Sequence, residues 1–500
     1  MRRPRRGESR IGGPAQADSG FPPRLEHGEA EEHYRRVLMQ QPENAAALRE
    51  LGQLLSARGY ALQERGELDA AIECYQEALA LDPSQVQAHN NLGNAYKDLG
   101  RMHDALDSYR SAIAVDGALA EAHLNLGIAL HQAEAFGEAA ECYRTALKLE
   151  PVLADASLNL GYLLEHEGDA RGARDCYRLA ISARPEFAEA HFNYALQLLQ
   201  SGDFEKGWDE YEWRLKMPDL ARFWPHADRP RWNGSELGGE NILLYAEQGF
   251  GDAIQFMRYA PLVAKRGGNV ILSCAPKLMA LFRGSSGVSA VHNAEEAPPD
   301  FDTCCSLLSL PRLFRTTLET IPATVPYLHP REELAEQWKA RLAASGPGLK
   351  VGLFWSTESK NRMTPLRSLD LDMFAPLAGI PGVVFFSLQR GVAAAQAARP
   401  PQGMTLVDPT AALGDFSDDA ALISNLDLVI SINTATAHLA GALGKPIWTL
   451  IHFPADWRWL VGRDDSPWYP TMRLFRRGRA DSWNDVIRRV GHALRQLAER

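Results

Sequence analysis

The sequence predicts a two-part molecule: an all-α superhelix of stacked helix pairs, followed by an α/β region built as two doubly wound halves. Three observations predict it. A 34-residue period runs through the first part, the period stops near residue 218, and beyond it short apolar runs alternate with helical stretches. Five hundred residues are too many for one core, and 45% apolar with 23% charged residues is the composition of an ordinary folded chain.

Residues 1–24 carry the arginines of a leader's first segment but no apolar run after them, so a disordered basic tail is expected and export is not. Residues 26–217 hold the repeats. Tyr75, Tyr109, Tyr143, Tyr177 and Tyr211 stand 34 apart, as do Asn91, Asn125, Asn159 and Asn193. Leu92-Gly93, Leu126-Gly127 and Leu160-Gly161 recur at the same step, Gly66, Gly100, Gly168 and Gly202 mark a turn, and Pro83, Pro151 and Pro185 end units. One helix pair cannot bury its own apolar face, so the pairs must stack. In the first unit Leu51-Gly52 precedes its tyrosine by 24 residues rather than 17, which reads as an inter-helix loop lengthened around residues 57–64. Cys74, Cys142 and Cys176 follow the repeat and read as core packing.

These repeats resemble the tetratricopeptide repeat. The asparagines lie beside the Leu-Gly pairs on the first helix of each unit, the helix that lines the concave face of such stacks. A periodic amide ladder can grip the backbone of an extended peptide, or it can tie neighbouring repeats together. The ladder also resembles that of O-linked N-acetylglucosamine transferase. A protein or peptide partner on the concave face is expected, held by Asn91, Asn125, Asn159 and Asn193.

Residues 218–239, with RFWPHADRPRWNG, read as a linker. Strands are expected at 242–246, 270–273, 351–355, 383–388, 428–432 and 447–451, in two halves spanning 240–330 and 348–490. A polar helix around Glu332 to Ala343 joins them. Strand–helix alternation means parallel sheets, and a ligand is expected in the cleft between them. After the first strand comes Gln248-Gly249-Phe250-Gly251-Asp252, where Gly249 and Gly251 would let a ligand approach the backbone and Asp252 is either an N-cap or a general base. After the strand at 428–432, Asn433, Thr434, Ala435 and Thr436 open a helix suited to a diphosphate, with His438 in its first turns, either buried packing or a donor to an anionic leaving group.

A net charge of -10 argues against a nucleic-acid partner, and no apolar run is long enough to span a bilayer. The six cysteines form no CxxC pair, so a reducing cytoplasm is expected. Asp370-Leu371-Asp372 spells a DxD but precedes a helix expected near Met373, where an N-cap is the simpler role; no metal is expected. The run from Trp457 to Tyr469 covers the donor base, forms the acceptor edge, or packs a closing loop.

PRWNGSELGGENILLYAEQGFGDAIQFMRYAPLVA, FDTCCSLLSLPRLF, SINTATAHLAGALGKPIWTL and DWRWLVGRDDSPWYPTMRLFR together resemble the glycosyltransferase domain that follows tetratricopeptide repeats in many bacterial proteins, itself similar to the ADP-heptose:lipopolysaccharide heptosyltransferases. The resemblance covers nearly all of residues 228–490. It implies a GT-B fold, a nucleotide-sugar co-substrate with no other cofactor, and metal-independent transfer. It also implies Asp252 as catalytic base, a donor diphosphate on the loop from Asn433, and donor contacts from Trp355 and Arg367. Asn433 stands where the family usually has aspartate, and the segment after Trp355-Ser356 reads TESKNRMTPLRS, keeping Arg367-Ser368 with Lys360 and Arg362 as stand-ins for further basic residues. The competing expectation is a non-catalytic scaffold whose transferase domain is degenerate.

Overall fold

The computed structural model describes residues 27–217, 229–358 and 364–500, so the N-terminal tail, most of the Trp- and Pro-rich segment, and Lys360 and Arg362 lie outside the described residues. The chain divides into two compact units, with the boundary between Ala190 and His191.

In the first unit, α1 (His27–Gln40), α2 (Ala45–Glu64), α3 (Leu68–Leu81), α4 (Val86–Asp98), α5 (Met102–Val115), α6 (Ala120–Gln132), α7 (Phe136–Leu149), α8 (Ala154–Glu167) and α9 (Ala170–Ala183) follow one another as antiparallel pairs. The repeated tyrosines explain the repeated glycines. Tyr75, Tyr109, Tyr143 and Tyr177 are fully buried, and a Cβ on Gly93, Gly127 or Gly161 would stand 2.5, 2.6 or 2.7 Å from the ring sixteen residues later. Only glycine leaves room for the ring against the preceding helix. The turn glycines Gly66, Gly100 and Gly168 have φ of +79°, +79° and +85°, and Glu134 occupies the same slot at +63°.

The first repeat differs from expectation. Residues 57–64 are helical, because α2 is one continuous 20-residue helix. Gly59, not Gly52, faces Tyr75, with a Cβ position 2.8 Å from its ring. The seven additional residues therefore lengthen α2 at its start by two turns and leave the inter-helix turn unchanged.

The second unit begins inside α10 (Ala188–Ser201) and continues through α11 (Phe204–Tyr211) into the α/β region. Four strands, β1 (Asn241–Tyr245), β2 (Asn269–Cys274), β3 (Ala290–Asn293) and β4 (Thr303–Ser306), form a parallel sheet in the order β3-β2-β1-β4. Six more, β5 (Leu349–Phe354), β6 (Val383–Ser387), β7 (Leu406–Val407), β8 (Leu428–Ile432), β9 (Ile447–Ile451) and β10 (Met472–Arg476), form a second parallel sheet in the order β10-β9-β8-β5-β6-β7. The linking helix spans Glu332–Ala343, as expected. Pro230 and Trp232, placed in the linker by sequence, lie alongside β4: Cys304 N donates to Pro230 O and Trp232 N to Cys304 O, both at 3.0 Å.

The end of the repeats is built into this unit. Phe204, Trp208 and Tyr211 are 2% exposed and pack with Phe256, Trp457 and Trp468. Trp208 Nε1 donates to Thr316 O at 3.0 Å. Arg214, fully buried, donates to Glu247 Oε1 and to Glu212 Oε1, both at 2.6 Å, and Glu247 also accepts from Ser306 Oγ. Glu247 sits in the turn that carries Gly249, Gly251 and Asp252, so the residues just after α11 anchor that turn through a buried ion pair.

Candidate functional site

Parallel strands place their carboxyl ends on one edge of a sheet, where the following loops gather. At the end of β1 the helix Phe250–Phe256 begins, with Gly249 as its N-cap and Asp252 at its third position; Gly249 N donates to Asp252 Oδ2 at 3.0 Å. Asp252 is therefore not the N-cap expected from the sequence but reaches back to the N-cap backbone from the first turn, which uses one carboxylate oxygen. The other, Oδ1, accepts from Arg458 Nη2 in the turn Trp457–Trp459 after β9. Arg458 also donates to Asp456 at 3.0 and 3.1 Å and to Gln255 Oε1 at 3.0 Å. Burial pushes Asp252 above the usual carboxylate range, with Arg458 and the Gly249 N–H opposing. Asp456 goes the other way: burial disfavours its charge, but Arg458 outweighs burial and holds it below that range.

His438, 5% exposed, lies on the helix Ala435–Ala442 after β8. Its ring stacks on Trp459 and its Nδ1 is 2.9 Å from Tyr469 Oη. Burial, with Arg458 and Arg258 nearby, lowers its pKa to about 3, so the ring is neutral at pH 7 and can donate through only one nitrogen. His438 also explains Gly251, where a Cβ would come 2.9 Å from the imidazole Cδ2. The backbone at Gly251 is thus approached by a side chain of the second half. The two halves meet along these helices and share one apolar core.

The remaining expected residues divide. Asn433 is 8% exposed at the end of β8, and Thr434 is the N-cap of the helix, its hydroxyl 3.4 Å from Ile432 O, while Ala435 and Thr436 are half-buried in the first turn. The first N–H groups of such a helix lack intrahelical partners. Arg367 is half-buried with its Nε buried and unpartnered. Trp355 is fully buried in the core of the second sheet and its indole N–H donates to Gln396 at 2.9 Å. Trp457, Trp459, Trp468 and Tyr469 are likewise at most 4% exposed, which decides for packing. Asp370 precedes a 3-10 segment, Leu371–Leu377, rather than an α-helix; it accepts from Gln396 Nε2 at 2.9 Å and makes no side-chain cap bond. Among the described residues no group of three His, Cys, Asp or Glu side chains gathers as a metal site.

The asparagine ladder is not uniform. Asn125 Nδ2 donates to Asn90 Oδ1 of the neighbouring repeat at 3.0 Å, and both amides lie against Glu121. Asn159 Nδ2 donates within its own helix to Asp155 O at 2.8 Å. Asn91 and Asn193 are half-buried. Asn90, fully buried, was invisible to the period because later units place Leu124 and Leu158 there. Arg458 and Tyr469 lie within the run from Trp457 to Tyr469 singled out by sequence, but neither they nor the preceding Asp456 were identified there as partners of Asp252 or His438.

Residues 59–100 and 93–134 match a TPR repeat family, and residues 124–185 and 167–212 a Tetratricopeptide repeat family. The chain is 31% identical over 317 residues to Protein FlbA of Caulobacter vibrioides, across 59% of this chain and 52% of that protein, so it spans about half the length of the curated relative it matches. Similar solved structures include MamA, at 28% identity with a TM-score of 0.30, covering 32% of this chain and 92% of that one. Another is YrrB, at 21% identity with a TM-score of 0.32, covering 40% of this chain and 98% of that one. No helix among the described residues is long and apolar enough to cross a membrane. Repeat period, helix pairing and family matches agree that the N-terminal region of this chain consists of tetratricopeptide repeats.

Proposed function

We propose that the chain is a cytoplasmic glycosyltransferase of GT-B type, moving a sugar from a nucleotide-sugar donor to an acceptor hydroxyl while its repeats recruit a protein acceptor or partner. The observation that carries this reading is Asp252: a half-buried carboxylate of raised pKa at the head of a helix, facing Arg458, with His438 and Arg367 on the second half. In the reaction Asp252 accepts the proton of the acceptor hydroxyl as its oxygen bonds to the anomeric carbon. The bond from that carbon to the diphosphate breaks on the opposite face, the configuration inverts, and the nucleoside diphosphate leaves. His438, Arg367 and the N–H groups from Asn433 to Thr436 stabilise its charge, help worth roughly 3 kcal/mol per well-placed donor. A cavity of about 170 Å³ lies against the turn that carries Asp252, lined by Gly249, Phe250, Ala253 and Leu278, though not by Asp252 itself.

The test is incubation with a panel of nucleotide sugars, with and without cell extract, following release of nucleoside diphosphate. Release that depends on Asp252 and survives EDTA supports the reading; metal-reversible loss of all activity would restore Asp370 and Asp372 as ligands. A second reading, a non-catalytic scaffold that only senses nucleotide sugars, is favoured by Asn433 and by the engagement of Asp252 with Arg458. It predicts donor binding without turnover.

A further inference from the structure

His452 follows the last residue of β9, at the same sheet edge as Asn433, because Ile432 pairs with Leu450 across β8 and β9. It is 5% exposed, and its Nδ1 is buried with no hydrogen-bond partner. Burying an imidazole nitrogen without a partner is unfavourable, so such a group at the carboxyl edge of a sheet points to a missing hydrogen-bond partner. The groups that face it are charged: Arg367 and Arg477 on one side of the balance and Asp456 on the other. Arg367 carries the same signature, a buried Nε without a partner. Two nitrogens thus await an acceptor at one end of the sheet, and Asp456, the nearby anion, is already engaged by Arg458. Burial holds His452 neutral, with its pKa lowered to about 4, so it presents one N–H and costs no charge–charge repulsion with the arginines.

We infer that His452, together with Arg367, forms a phosphate seat at the carboxyl end of β9 that binds one phosphate of a diphosphate ligand. The inference rests on the proposed donor site and extends it to a residue outside the loop from Asn433. A phosphate offers acceptor oxygens to the unpaired nitrogens of both side chains, and the helix start at Thr434, after the neighbouring strand, suits a second phosphate. The seat takes no part in proton transfer at the acceptor; it selects for the anionic end of the donor.

The experiment is calorimetric titration of the full chain with UDP, GDP, ADP and inorganic pyrophosphate. His452→Ala is expected to weaken binding of the preferred diphosphate and of pyrophosphate about tenfold, while His452→Asn, which keeps an amide N–H near the Nδ1 position, retains most of it. Both variants should melt within a few degrees of the wild type, and the asparagine variant keeps the test valid should the alanine variant not fold. Wild-type affinity in both folded variants overturns the inference while leaving the glycosyltransferase reading intact. Pyrophosphate binding that needs His452, with no preference for any nucleoside diphosphate, supports the seat and removes the transferase reading. A wild type that binds none of the four overturns both.

Discussion

Arg458 Nη2 donates a hydrogen bond to Asp252 Oδ1 from 206 residues further along the chain, joining the two halves at the point where the proposed base sits. Arg458 opposes the rise that burial imposes on the Asp252 pKa. The protonated carboxyl cannot act as a base, so turnover should fall as pH drops through that pKa, and in Arg458→Met the fall should begin at higher pH. Asp252→Asn should lower turnover roughly 100- to 10,000-fold with diphosphate affinity nearly unchanged. Steady-state rates across pH 4 to 9, beside calorimetric binding, check both.

His438 couples stability to pH in a measurable way. Its folded pKa is about 3 against 6.5 unfolded, so the unfolded chain takes up the proton first, and stability present above pH 6.5 is lost as pH falls toward 3. His452, at about 4, adds loss in the same direction, whereas Asp419, raised to about 6, gains stability as pH falls. Denaturation of the wild type and His438→Gln between pH 7 and 4 should therefore differ in slope by about one proton. Equal slopes would mean that His438 titrates normally in the folded chain.

Gly127→Ala should destabilise the repeats by about 1–3 kcal/mol, because a Cβ there stands 2.6 Å from the Tyr143 ring. Gly137→Ala, where nothing lies within 4 Å, is the control and should be neutral or slightly stabilising. Urea unfolding monitored at 222 nm distinguishes them.

The two asparagine roles should separate by position. Asn125→Ala breaks the bond to Asn90 and should cost about 1 kcal/mol of stability. Asn91→Ala should leave stability unchanged and weaken binding of a protein partner; the reverse pattern would sink the peptide-ladder reading.

Arg214→Met leaves Glu247 buried and without its cation, which should cost about 3–5 kcal/mol. The double variant Arg214→Met/Glu247→Leu should recover a substantial part of that loss in thermal melts. If the single variant is as stable as the wild type, the pair does not anchor the turn that carries Asp252.

How much of this was legible depends on whether the signal is local. The period exposed the tyrosines and their glycines because each pair recurs, and it misled only where α2 begins early and Gly52 imitates Gly59. The six strands expected from apolar runs are present, whereas β3 (Ala290–Asn293), β4 (Thr303–Ser306), β7 (Leu406–Val407) and β10 (Met472–Arg476) were missed because they are short, polar or alternating. At the site, Asp252 and His438 were legible from strand–turn–helix grammar. Arg458 was not, since nothing near position 252 tells of a partner so distant. The full burial of Trp355 and its bond to Gln396, 41 residues away, were not legible from the sequence around it.

The boundary between Ala190 and His191 has an engineering and evolutionary consequence. The final helix pair travels with the α/β region, its Phe204, Trp208 and Tyr211 serving as part of that region's interior. Upstream arrays of different length or specificity can then be exchanged in front of α10, which starts at Ala188, as cassettes, whereas a cut at residue 217 or 218, where the period ends, amputates a wall of the downstream half. Lineages that shuffle such repeats are expected to conserve the last pair with the sheet rather than with the array it terminates.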